Sequence, residues 1–248
     1  MRVAFARAAP ACLNSCNSMR LDRLIALRGP FNRQQARLAL AQGRARVNGQ
    51  VCREPAHEVS AFDRAEVDEH LLQAGEPARY YMLHKPTGCV SATTDPSHRT
   101  VLDLLAPEHR QGLHLAGRLD YHTTGLLILT NDGQWSRRLT QPGSQQHKRY
   151  RVYTEQPIEE YYAKVFAEGL YFAYENLTTQ PATLIRLGSH KAELSLVEGR
   201  YHQVKRMFGH FHNRVTGLHR LSMGPLQLDP RLRPGQYRAL RSEEIGLV

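Results

Sequence analysis

The segment 21–53 constrains the fold of this chain most strongly, because it has the pattern of two short helices followed by a β-hairpin. Apolar residues recur at helical spacing from Leu21 onward, and Gly29 ends this first run. Asn32 and Gln35 have the spacing of a capping box, which predicts the start of a second helix. A chain of 248 residues is long enough for one large domain or two unequal ones, and we predict two.

The hairpin pattern follows directly on the second helix. Residues 44–47 alternate as a short strand, the Asn-Gly pair at 48–49 is typical of a two-residue turn, and residues 50–53 form the returning strand. We therefore predict a small helix, helix, hairpin domain over residues 19–70.

A larger domain is predicted after a short linker. Gly75 and Pro77 lie in a polar stretch without periodicity, so residues 71–78 are assigned to the linker and residues 79–248 to the second domain. Strand and helix patterns are interspersed there without a regular βαβ rhythm. That arrangement is typical of an α+β fold with a largely antiparallel sheet. Residues 1–18 are basic and lack acidic side chains, and we expect them to be a disordered extension.

The charge balance indicates a polyanionic partner. The chain has 33 Lys and Arg against 23 Asp and Glu, a formal charge of +10 that favours nucleic acid. Seven arginines and a single acidic residue fall between residues 20 and 50. Because the planar guanidinium suits phosphate oxygens, four arginines near the second helix and the strand after it are candidate phosphate ligands: Arg33, Arg37, Arg44 and Arg46. The alternative is a solvated basic face without a specific ligand.

Composition argues against other classes of protein. No apolar stretch approaches the roughly 20 residues that span a bilayer, so we expect no association with membranes. Four cysteines show neither metal-ligand spacing nor the density of a disulfide scaffold, which favours the cytoplasm. No Cys or carboxylate accompanies the histidines at ligand spacing, so no metal site is expected.

The segment 117–130 carries the candidate catalytic group. Asp120 lies in a loop punctuated by Gly and Thr, immediately before the apolar run 126–129, which is typical of a buried strand. Loops carried by a rigid strand are where catalytic residues concentrate. The alternative interpretation is that Asp120 caps a turn.

Three other segments would converge on Asp120 if it is catalytic. On an alternating strand, Tyr150 points away from its two arginine neighbours and is free to enter an apolar pocket. Residues 200–220 contain five Lys or Arg, four His and no acid. Lys85 lies in a turn from which it would reach the backbone of a bound strand. Taken separately, each of these segments is an ordinary charged surface.

Two sets of ordered motifs resemble known families. The N-terminal set resembles the S4 RNA-binding domain through "RLDRLIA", "NRQQARLALAQG" and "RVNGQ". The later set resembles the pseudouridine synthase superfamily, in the branch that modifies small-subunit ribosomal RNA, through "HKPTG", "GRLDYHTTGLLILTNDGQWSRRLT", "KRYRV", "EGRYHQVKRMF" and "LRPGQYRAL". Together they cover nearly the whole chain from Met19 onward.

The resemblance implies that the chain isomerises one uridine of 16S ribosomal RNA to pseudouridine, without a cofactor. It implies that Asp120 attacks C1′ of the ribose, or triggers elimination across C1′ and C2′. Lys205 has the family's position for a cation that keeps this carboxylate ionised. Tyr150 matches the tyrosine that packs on the uracil, and its part in moving protons is left open.

The resemblance also implies contacts with folded RNA, either free or in an assembling small-subunit particle. Everting a uridine from its stack costs a few kcal/mol, which is offset when a side chain fills the gap. Arg118 is the candidate for that role, with a phosphate contact or a salt bridge as the alternative. The further candidate RNA contacts are Lys85, Lys148, Arg200, His202 and Arg206. We expect the protein to act as a monomer.

Two other functions compete with this interpretation. A non-enzymatic RNA-binding protein explains the charge, but it does not explain an acid in a basic loop that faces RNA. A glycosidase or nucleosidase usually needs two carboxylates that flank the scissile bond. No second acid stands out near these motifs.

Overall fold

The computed structural model describes residues 18–141 and 143–248 of the chain. The predicted disordered extension therefore lies outside the described residues except for Ser18, whose hydroxyl donates a hydrogen bond to Glu58. The described residues form two compact units, which divide between Ala78 and Arg79.

The first unit has two helices and short strands. In chain order, its elements are β1 (Met19–Arg20), α1 (Leu21–Arg28), α2 (Arg33–Ala41), β2 (Ala45–Val47), β3 (Gln50–Val51), β4 (Glu58–Val59), β5 (Ala65–Val67) and β6 (His70–Gln73). Strands β3, β2, β5 and β6 form an antiparallel sheet in that order. The predicted helix, helix, hairpin order is confirmed, and Asn32 and Gln35 form the expected capping box.

Strand β6 is the main difference from the sequence prediction in this unit. It extends to Gln73, so the first part of the segment assigned to the linker belongs to the sheet instead. Leu72 is buried in the apolar core with Leu21, Leu40 and Val67, and that packing holds β6 in place. A strand of this length has too few residues for its period to be recognised in the sequence.

The second unit combines one large sheet with short helices. Its elements are β7 (Tyr80–Lys85), a 3₁₀ turn (Leu102–Leu104), α3 (Pro107–Arg110), β8 (His114–Ala116), β9 (Thr124–Thr130), α4 (Gly133–Thr140), β10 (Lys148–Thr154), α5 (Tyr161–Glu168), β11 (Tyr171–Phe172), β12 (Leu177–Thr178), β13 (Thr183–Gly188), β14 (Lys191–Leu196), α6 (Gln203–Gly209), β15 (Val215–Met223), β16 (Leu226–Gln227), β17 (Tyr237–Ala239) and α7 (Ser242–Gly246).

The large sheet has the strand order β13, β14, β10, β15, β9, β7, β17, with β16 beside β15 and β8 beside β9. Among the described strands of this sheet, the pair β9 and β15 is parallel and the other pairs are antiparallel. The predicted α+β fold with a largely antiparallel sheet is confirmed. No helix among the described residues is long and apolar enough to cross a membrane.

Strand β9 is buried on both faces, which explains its continuous apolar run. Leu127 and Leu129 pack in one core, and Leu126 and Ile128 pack in another. At its start, Gly125 has a φ of 106°, and a Cβ there would lie 2.3 Å from the carbonyl oxygen of its partner in β15. Only glycine allows β9 to approach β15 this closely, directly after the Asp120 loop.

Candidate active site

The Asp120 carboxylate lies in the loop between β8 and β9 and contacts two basic side chains. Its Oδ2 accepts a hydrogen bond of 2.8 Å from Nζ of Lys205, and its Oδ1 lies 3.4 Å from Nε2 of His202. Among the hydrogen bonds of the described residues, the carboxylate accepts none from a backbone N–H. Within the described residues, the Asp120 side chain is therefore held by an ion pair and caps no turn.

The carboxylate opens into a pocket of about 560 Å³ in the second unit. The pocket is of a size that suits a small organic ligand. It brings together most of the predicted site residues of this unit, namely Asp120, Tyr150, Lys205, Arg118, Lys148, Arg200 and His202. Tyr150 is buried on β10, between β14 and β15, and turns towards the pocket as the alternation of that strand predicts.

The basic side chains of the pocket have different surroundings. Lys148 donates to the carbonyls of Gln146 and Val197, and burial lowers the pKa of its ammonium. Arg200 forms an ion pair of 2.9 Å with Glu198. Arg118 is exposed and forms no ion pair within the described part of the chain. Arg118 is therefore the most available of the three for a polyanionic ligand.

The structure corrects the prediction that Lys85 contacts RNA. This lysine has no exposed surface, and its Nζ donates to the carbonyls of Pro86, Tyr121 and Thr123 at 3.0, 3.3 and 3.0 Å. Burial lowers the pKa of Lys85, and the nearby charge of Asp120 opposes that shift. Lys85 therefore positions the loop that carries Asp120 from inside the protein.

The guanidinium of Arg206 has an internal partner that the sequence did not indicate. Its guanidinium pairs with both carboxylate oxygens of Glu175, at 2.7 and 2.6 Å, and lies 3.7 Å from the centre of the Phe172 ring. This pair raises the pKa of Arg206 and lowers the pKa of Glu175. Arg206 thus anchors the segment between β11 and β12 to α6.

Arg220 contributes to the site and was not singled out from the sequence. It is 2% exposed, lines the pocket, and donates from Nε to the carbonyl of Leu126 and from Nη1 to the carbonyl of Arg118. Its guanidinium therefore ties β15 to both sides of the Asp120 loop. The sequence offered no signal for this role, because Arg220 was one of five cations in an ordinary charged segment.

The candidate phosphate ligands of the first unit are all exposed. Arg33 and Arg37 lie on α2, Arg46 lies in β2, and Arg44 directly precedes β2. Arg44 pairs with Asp68, and Arg37 lies 3.9 Å from Asp22. Arg46 donates to a backbone carbonyl of the hairpin turn. These exposed arginines leave α2 and the adjacent strand with a positive surface.

Comparison with known families identifies both units. Residues 79–210 match the family model for RNA pseudouridylate synthase, and residues 19–64 match the model for the S4 domain. The first match covers more than half of the chain and contains Asp120, Tyr150 and Lys205. The chain belongs to the RNA pseudouridylate synthase family. Membership of this family decides against the two rival functions.

This pseudouridine synthase resembles its relatives along nearly its whole length. It is 60% identical to the ribosomal small subunit pseudouridine synthase A of Pseudomonas aeruginosa, over 93% of this chain and 100% of that protein. The protein of the same name from Haemophilus influenzae is 41% identical, over 92% of this chain and 98% of its own length. A solved structure titled "Crystal structure of pseudouridylate synthase" covers 93% of this chain with a TM-score of 0.68 and 40% identity.

The remaining carboxylates of the pocket differ from Asp120. Glu175 and Glu198 also line it, but each is already paired with an arginine. Within the described residues, no group of three or more His, Cys, Asp or Glu side chains is placed to hold a metal ion. Among the described residues that line the pocket, Asp120 is therefore the one carboxylate whose partner is a lysine.

Proposed function

We propose that this pseudouridine synthase isomerises one uridine of 16S ribosomal RNA, as free RNA or in an assembling small-subunit particle. The names of its relatives support the substrate, because proteins 60% and 41% identical to this chain are called ribosomal small subunit pseudouridine synthase A. The S4 domain supports binding to RNA. We propose that the protein works as a monomer, since one chain supplies the whole candidate site, and in the cytoplasm, where ribosomes assemble.

The ion pair of Asp120 with Lys205 is the observation that carries the proposed mechanism. The carboxylate attacks C1′ of the everted nucleotide, or triggers elimination across C1′ and C2′, and the N1 to C1′ bond breaks. After the uracil turns, a bond forms between C5 and C1′ as the bond from Asp120 to C1′ breaks, or as the proton taken from C2′ returns in the elimination route. C5 then loses its proton and N1 gains one. The ammonium 2.8 Å from Oδ2 holds the reacting carboxylate in place by a charge-assisted hydrogen bond.

The other pocket residues are proposed to hold the nucleotide. The Tyr150 ring packs on the uracil, since it is an aromatic side chain that lines the same pocket as Asp120. Lys148, Arg200 and His202 contact the RNA around the everted uridine. Arg118, which is exposed two residues before Asp120, either fills the gap in the base stack or binds a phosphate.

The reaction is tested with protein-free 16S RNA that carries tritium at C5 of its uracils. We expect stoichiometric release of tritium from one site while the RNA chain stays intact, because isomerisation expels the C5 hydrogen without losing the base. A 23S transcript and an isolated small-subunit particle serve as comparison substrates. Base loss without pseudouridine would contradict the mechanism, and preference for 23S RNA would contradict the proposed substrate.

The exposed arginines of α2 and β2 are proposed to bind phosphate. We expect RNA binding by the combined variant Arg33→Ala, Arg37→Ala and Arg46→Ala to depend less on salt. The decline of log binding constant with log salt should become shallower by about 2, because each phosphate contact contributes roughly 0.7–0.9 to that slope. Titrations of labelled 16S RNA at several salt concentrations measure this slope. Arg137→Ala, at an exposed position on α4, is the control and should keep the original slope. Equal slopes for all proteins would mean that these arginines are solvated and bind no phosphate.

A further inference from the structure

Two consecutive rings form a stack at the pocket, just before α6. The ring centres of Tyr201 and His202 are 3.9 Å apart, and the two planes are inclined by only 18°. His202 has a left-handed backbone, with a φ of 49°, at the turn that leads into α6. Both rings line the pocket that contains Asp120.

This stack extends outward from the catalytic carboxylate. His202 is its inner ring, with Nε2 3.4 Å from Oδ1 of Asp120. Tyr201 is its outer ring, and it is 75% exposed. Within the described residues, the Tyr201 hydroxyl forms no hydrogen bond, and its ring contacts no aromatic ring other than that of His202. One face of the Tyr201 ring is therefore covered by His202. The rest of the ring is exposed and packs against no other aromatic ring among the described residues.

We propose that Tyr201 stacks on a base of the RNA that neighbours the everted uridine. This inference rests on the proposed function, because it assumes an RNA whose target nucleotide has left its stack. Eversion uncovers the faces of the adjacent bases, and an aromatic side chain is a common platform for such unpaired bases. The target uracil is not the proposed occupant of this platform, because that base is proposed to pack on Tyr150 in the same pocket.

The charges around the stack suit a polynucleotide as its ligand. Arg200 precedes Tyr201 in the chain, and Arg118 and Lys148 line the same pocket. These cations can hold phosphates on either side of the target while the neutral Tyr201 ring accepts a base. Because every base has a π-face, this contact supplies affinity and position without requiring one particular base.

The test uses short RNA fragments that contain the modified uridine, with either a normal nucleotide or an abasic residue on its 5′ or 3′ side. With normal RNA, we expect Tyr201→Ala to lower kcat/KM by about 5- to 150-fold, the range that stacking one base on an aromatic ring provides. Tyr201→Phe should retain most of the activity, because it keeps the ring. Tyr161→Ala, at a tyrosine on α5 that is 55% exposed, is the matched control and should match the wild type.

The decisive experiment combines the Tyr201→Ala change in the protein with an abasic position in the RNA. One abasic position should lower the activity of the wild type as much as Tyr201→Ala does, and should cause no further loss in that variant. Losses that multiply with both abasic positions, or a Phe variant as weak as the Ala variant, would overturn the proposal.

A second measurement separates this proposal from the proposed substrate. Binding of a single-stranded RNA that contains 2-aminopurine next to a uridine should quench its fluorescence with the wild type and Tyr201→Phe, and much less with Tyr201→Ala. Equal quenching by all three proteins would also overturn the proposal. A wild-type protein that quenches this probe but does not modify 16S RNA would contradict the proposed substrate alone.

Discussion

Replacing Asp120 with asparagine is expected to lower kcat by about 10⁴-fold or more, while the dissociation constant for 16S RNA changes by less than about threefold. Asparagine preserves the shape of the side chain but removes the negative charge that reacts at the ribose. The cations around the pocket and on α2 remain, so RNA binding persists. Tritium release with enzyme in excess over RNA measures the chemical step, and filter binding measures affinity.

The control for this change is Asp95→Asn in the same unit. Asp95 is a carboxylate that accepts hydrogen bonds from the backbone N–H groups of Ser97 and His98, a role that asparagine also fulfils. This variant should retain wild-type turnover. Near-normal turnover by Asp120→Asn would remove Asp120 from the mechanism.

Replacing Lys205 with methionine is expected to lower kcat by about 10²-fold, with a smaller change in KM. Methionine keeps much of the apolar stem but removes the ammonium that is 2.8 Å from Oδ2 of Asp120. Without that cation, Oδ2 loses its hydrogen-bond donor, and the carboxylate is held less precisely for its reaction at the ribose.

Rates with saturating RNA measure that loss. Lys205→Arg keeps a cation that can donate to Oδ2, so it should retain more of the wild-type kcat than Lys205→Met does. The role of the ion pair would be contradicted if Lys205→Met turned over at the wild-type rate.

The elements that the sequence predicted correctly depend on local interactions. The capping box at Asn32 and Gln35 and the Asn-Gly turn are formed by residues within a few positions of one another, so the residue types themselves specify them. Strand β6 depends instead on pairing with β5 and on the burial of Leu72. Such contacts are not encoded in a short stretch of sequence, which is why the segment was assigned to the linker.

In the candidate site too, the sequence motifs predict some features, whereas others depend on contacts that only the fold creates. The position of Lys205 relative to Asp120 was predicted from ordered motifs, although 85 residues separate the two in the chain. The sequence also identified Lys85 as a basic residue of a motif but contained no information on its burial. The sequence likewise contains no sign of the Arg206 ion pair, because only the fold brings Glu175 to its guanidinium.

The inaccessibility of Lys85 makes it an internal reporter on the Asp120 loop. An amine-reactive acylating reagent cannot reach Nζ while that atom is enclosed by the carbonyls of Pro86, Tyr121 and Thr123. Acylation at this position therefore requires the loop to open, and its rate measures how often the loop does so. Peptide mass spectrometry of pulse-labelled protein would thus follow the opening of the loop at this one position, and protection on addition of RNA would indicate closure over the substrate.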